Sequence, residues 1–70
     1  MPNRTTFFFN GNEYYVNKCI TLNELLNYFN YHSSIFVVEY NNFICNKKNW
    51  KTTQIKKYDT IEIITIVGGG

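Results

Sequence analysis

The residues best placed to do chemistry are the last three. Gly68, Gly69 and Gly70 follow the apolar run Ile61 to Val67 and leave an α-carboxylate on a tether without side chains. Three extended residues span roughly 10 Å, enough to carry that carboxylate off a domain surface and into a narrow site on another protein. Glycine has no Cβ, so this tether fits passages closed to other sequences. The alternative reading is an ordinary frayed terminus.

Elsewhere the chemistry-bearing side chains do not assemble. Cys19 and Cys45 lack the density of a disulfide scaffold and the close spacing of a zinc knuckle, and with His32 they do not complete a four-ligand site. They read as reduced thiols packed as small hydrophobes. His32 is expected to meet the last carbonyls of a helix. No acid–base or nucleophile constellation stands out, so the chain is not expected to be an enzyme or to bind a metal or cofactor. Lys47, Lys48, Lys51, Lys56 and Lys57 surround Trp50, a mix that can bind single-stranded nucleic acid. The net charge is only +2, so a solvated lysine face is the expected reading, with no nucleic-acid partner.

Seventy residues make one domain, 1–70, which at this size buries about 60% of its unfolded surface. Six Phe, six Tyr and one Trp supply that small core. No stretch is apolar and long enough to span a bilayer, and MPNRTT lacks the plan of a signal peptide, so no membrane partner is expected. Eleven Asn, eight Ile, six Lys, six Phe and six Tyr exceed half the chain, and alanine is absent. Those five residues have A/T-rich codons and alanine codons begin with GC, which points to a plastid genome or an A/T-rich bacterium. Without a transit peptide, the expectation is an organelle-encoded protein of the plastid stroma, or otherwise a bacterial cytoplasmic one.

The elements that must present the tail follow from local patterns. Thr5 to Phe9 and Glu13 to Asn17 read as a hairpin around Asn10, Gly11 and Asn12, with Phe7 and Phe9 on one face and Phe8 on the other. Thr21 and Glu24 form a capping box, and Leu22, Leu25, Leu26 and Phe29 make one helical stripe, ending near Tyr31 to Ser33. Ile35 to Tyr40 reads as a strand, Asn41-Asn42 as a tight turn, Phe43 to Cys45 as the return, and Ile61 to Val67 as the last strand. Trp50 is expected to pack under an irregular loop. Two strands, a helix and three strands is the order of an α+β β-grasp (ubiquitin-like) domain, a mixed sheet of four to five strands around one helix, with first and last strands parallel at its centre. If the last strand alternates, Ile61 and Ile63 face the helix while Ile64 and Ile66 face outward beside Phe8. Phe8, Ile64 and Ile66 are thus the expected docking patch for a partner.

FNG at Phe9 to Gly11, TLNELL at Thr21 to Leu26, the Asn41-Asn42 turn, Trp50 and the ending DTIEIITIVGGG resemble the ThiS family of sulfur carriers, over about Thr5 to Gly70. The resemblance implies a carrier, monomeric when free, with no catalysis of its own. An E1-like adenylyltransferase, ThiF, would convert the Gly70 carboxylate to an acyl adenylate using ATP. A persulfide sulfur donor would leave a thiocarboxylate there, and ThiG would take the sulfur into the thiazole ring of thiamine. Gly68 and Gly69 would be the flexible tail. A carboxylate is a poor electrophile until activated, and covalent attachment keeps the sulfur from escaping as sulfide. Close rivals are MoaD-like carriers for molybdopterin and ubiquitin-related-modifier-like carriers for tRNA thiolation, and a more distant one is a non-carrier β-grasp interaction module. The family usually turns into its last strand through Asp-Gly-Asp. Here Lys57-Tyr58-Asp59 puts a β-carbon where glycine would allow positive φ.

Overall fold

A computed structural model describes residues 4–31 and 35–65. Strands β1 (Thr5–Phe9) and β2 (Asn12–Val16) precede helix α1 (Leu22–Tyr28). Then come β3 (Phe36–Tyr40), β4 (Phe43–Cys45), a 3-10 helix (Lys47–Asn49) and β5 (Thr60–Thr65). The sheet order is β2-β1-β5-β3-β4, with β1 and β5 parallel at its centre and the other neighbours antiparallel. This is the expected β-grasp arrangement, five strands against one helix.

Both hairpins turn on residues that accept left-handed backbone. Asn10 and Gly11 have φ of 51° and 82°, and Asn41 and Asn42 have 53° and 73°. Positive φ at both central residues matches the right-handed twist of the flanking strands. Helix α1 starts on the capping box: the Thr21 hydroxyl accepts from the Glu24 amide at 3.2 Å, and Glu24 Oε1 accepts from the Thr21 amide at 2.8 Å. The helix stops at Tyr28, before the expected Tyr31 to Ser33. Asn30 turns left-handed at φ 65°, and Tyr31 N–H bonds Leu26 O at 2.9 Å while Asn30 N–H bonds Asn27 O at 3.1 Å. These two bonds close a Schellman motif with asparagine in the usual glycine position. His32, Ile66, Val67 and the Gly68 to Gly70 tail lie outside the described residues, together with what was expected of them.

Alternation divides the sheet into two faces. Phe7, Phe9, Val38 and Ile61 meet Leu22, Leu25 and Leu26 in the buried core. Phe9 stacks on Phe29 with centroids 4.7 Å apart, and Trp50 on Phe36 at 5.6 Å. The Trp50 indole N–H donates to Cys45 O at 3.0 Å, which satisfies the buried ring's polar atom.

Tyr58 adopts the turn that its β-carbon opposes, with φ of 67°. A left-handed residue with a side chain costs about 1–2 kcal/mol, and glycine in its place loses about 0.5–1 kcal/mol of chain entropy. Tyr58→Gly is therefore expected to raise stability by about 0.5–1 kcal/mol, seen as a higher urea midpoint at unchanged m-value. A lowered midpoint would instead assign the larger effect to the Tyr58 ring beneath Lys57, whose Nζ is 5.1 Å from its centroid.

Candidate functional site

Strand β5 is the last described element before Gly68, Gly69 and Gly70 in the sequence. Its start is held by Asp59, only 7% exposed. Asp59 Oδ2 accepts from the Lys56 amide at 2.7 Å and from the Tyr40 hydroxyl, and Oδ1 accepts from Asn41 Nδ2 at 3.0 Å. Burial, and then the Asp59 carboxylate, push the Tyr40 phenol well above its ordinary pKa, so it stays a donor. Asn41 Oδ1 accepts from the Thr60 amide at 2.9 Å, and the Asn41 amide donates to Thr60 O at 2.8 Å.

Further along, β1 has ended and a side chain replaces it. The Asn10 amide donates to Ile61 O at 2.9 Å, and Asn10 Oδ1 accepts from the Ile63 amide at 2.9 Å. Asn10 thus continues the ladder beyond Phe9, a role that its turn position in the sequence did not signal.

The outer face carries the expected patch in a different arrangement. Phe8 is half-buried on that face but opposes Thr60, four residues from Ile64 along β5, about 13 Å at strand spacing. Ile64, 39% exposed, opposes Val37. Ile44, 56% exposed, opposes Glu39, which in turn opposes Glu62. The apolar surface beside Ile64 therefore extends toward Val37 and Ile44, residues found only through the strand register. Glu39 and Glu62 are like charges directly across from each other, an arrangement that is locally unfavourable and suited to a cationic partner group.

The other candidates stay apart. Trp50 is committed to the core, so the lysines around it surround no exposed indole face. Cys19 is exposed, not packed as the sequence suggests, and Cys45 is half-buried with Sγ 3.8 Å from Thr53 Oγ1. Among the described residues no three of His, Cys, Asp and Glu gather as metal ligands, and no helix is long and apolar enough to cross a membrane.

The family model described as the ThiS family matches residues 7–70, running through the anchored β5 to the terminal glycine. The chain belongs to the ThiS family. Its fold superposes on the crystal structure of thiamine biosynthesis protein ThiS from Geobacter metallireducens with a TM-score of 0.80 and 23% identity, covering 94% of this chain and 100% of that one. It is 63% identical to uncharacterized protein ycf40 of Trieres chinensis, over 93% of this chain and 89% of that protein. The ycf40 protein of Pyropia yezoensis is 38% identical over 87% of this chain and 86% of its own length. Membership in the ThiS family makes this a sulfur-carrier-like protein of a class that carries rather than catalyses.

Proposed function

We propose that this ThiS-family chain carries sulfur on Gly70 for the thiazole ring of thiamine. An E1-like adenylyltransferase of the ThiF type forms the acyl adenylate from the Gly70 carboxylate and ATP, releasing pyrophosphate. A persulfide sulfur attacks the carbonyl and displaces AMP, and thiol cleavage of the S–S bond leaves the thiocarboxylate, which a ThiG-type synthase consumes. The observation that carries this reading is the family match extending through Gly70, at the end of a chain whose central strand is pinned by Asp59, Asn41 and Asn10. The ATP belongs to the partner's site. The algal sources of the ycf40 relatives and a composition rich in residues that A/T-rich codons encode support the plastid stroma as the place of action.

The test is intact-mass measurement after incubation with a ThiF-type enzyme, ATP and a sulfur donor. A mass gain equal to sulfur replacing oxygen at the C-terminus is expected, and an unchanged mass would reject the reading. Consumption of the product by ThiG, with none by the large subunit of molybdopterin synthase, assigns the pathway.

The proposed docking surface is the outer face, with Ile64, Val37 and Ile44 as apolar contacts, Phe8 farther along the same face, and a basic partner group against Glu39 and Glu62. Ile64→Glu buries an unpaired charge in that contact, at a cost of about 2 kcal/mol or more. The adenylation rate at subsaturating carrier is expected to fall roughly 30-fold with the urea midpoint nearly unchanged. Adenylation at the wild-type rate would remove this face from the interaction.

A further inference from the structure

The helix side of the sheet offers a second binding surface, independent of the carrier reading. In β1, the Phe8 and Asn10 amides donate toward β5, to Asp59 O and Ile61 O, and Thr6 O accepts from Tyr58 on the same side. Thr5, Phe7 and Phe9 must then address β2, which makes Val16, Tyr14 and Asn12 their bonded partners. The intervening Glu13 and Tyr15 turn their backbone N–H and C=O groups away from the sheet. Among the described residues β2 is an edge strand, so those groups form an open ladder.

Beside this edge, between β2 and α1, runs a groove of about 530 Å³ lined by Tyr14, Val16, Leu25, Tyr28 and Phe29. Its volume lies within the range of ligand sites. Tyr28 is 79% exposed and forms an aromatic wall that the core does not require. A strand added to β2 sits about 4.8 Å away and turns alternate side chains into this groove.

The charges fix which end is which. Lys18 lines the groove just past Val16, and Arg4, at the same end of the hairpin, lies 4.2 Å above the Tyr15 ring. Glu13 lies toward the turn, and Glu24, which also lines the groove, has its Oε1 taken up by the Thr21 amide and hydroxyl. We infer that the β2 edge and its groove bind an extended segment of another protein. That segment carries β-branched apolar residues at alternating positions and aspartate or glutamate at the end beside Lys18. Main-chain bonds to Glu13 and Tyr15 and apolar side chains in the groove supply its affinity. This surface lies on the opposite side of the sheet from Ile64, so a tethering partner and an enzyme acting on the tail can be engaged together.

The probe is a capped synthetic octapeptide of alternating valine and threonine ending in aspartates, titrated into the isotope-labelled full chain. The Glu13 and Tyr15 amides are expected to become protected from hydrogen exchange, and shifts should map to Tyr14, Val16 and Tyr28. Lys18→Glu should weaken binding severalfold, and a peptide with lysines in place of the aspartates should recover it on that variant. A proline at the centre of the peptide should abolish binding. The inference is overturned by absence of binding, by shifts confined to the Ile64 and Ile44 face, or by binding that leaves the Glu13 and Tyr15 amides unprotected. Equal affinity for Lys18→Glu also overturns it, as does protection that appears without peptide as protein concentration rises, which would make a second copy the occupant.

Discussion

Deletion of Gly70 is expected to abolish thiocarboxylation while leaving the unfolding transition unchanged. The variant still ends in two glycines, Gly68 and Gly69, so the experiment separates reach from composition. Loss of one extended residue withdraws the carboxylate by roughly 3.5 Å. Attack on ATP requires the reacting atoms within roughly 3–3.5 Å and aligned, and a 1 Å misplacement costs about 100-fold. If the partner grips the body of the carrier, the shortened chain cannot compensate by shifting in the site, and no gain of mass should appear. Thiocarboxylation of the shortened chain at the full rate would mean that any terminal glycine serves, and that docking of the body does not set the distance.

How far the sequence revealed this arrangement depends on how local each determinant is. The capping box at Thr21 and Glu24, the Asn10-Gly11 and Asn41-Asn42 turns and the alternation of Phe7, Phe8 and Phe9 are encoded within a few residues, and the structure has them as read. The helix end is not legible in the apolar stripe, which gives no stop: Asn30 in the left-handed region, with Tyr31 closing back on Leu26, ends α1. The Asn10 bond to Ile63 joins residues 53 apart in sequence, and no periodicity announces it. The same holds for the grouping of Val37 and Ile44 with Ile64. It depends on the β3–β5 register, which no single turn sets. The like-charged Glu39 and Glu62 become neighbours only through that register.

Asp59→Ala is expected to cost about 3–4 kcal/mol, a large part of the 5–15 kcal/mol that holds a domain together. Three donors converge on this one carboxylate: the Lys56 amide, the Tyr40 hydroxyl and Asn41 Nδ2. Hydrogen bonds to a charged acceptor contribute about 1.5–3 kcal/mol each, and they add incompletely because water reaches whatever is left exposed. Asp59→Asn keeps an acceptor for the Lys56 amide but points an NH2 at one of the other two donors, so its midpoint should fall between those of wild type and alanine. Tyr40→Phe removes one donor and leaves the acceptor served by the other two, for about 1 kcal/mol. Urea unfolding of the three variants should therefore rank them Tyr40→Phe, Asp59→Asn, Asp59→Ala in increasing damage. The same order should appear in the hydrogen exchange of the Thr60 amide, since Asn41 bonds both Asp59 and Thr60. If Asp59→Ala unfolds at the wild-type midpoint, β5 is held by its ladders alone and the tail's root does not depend on this latch. If it loses stability and thiocarboxylation together, with the rate recovering on cooling as the fold recovers, the latch serves the carrier by keeping β5 folded.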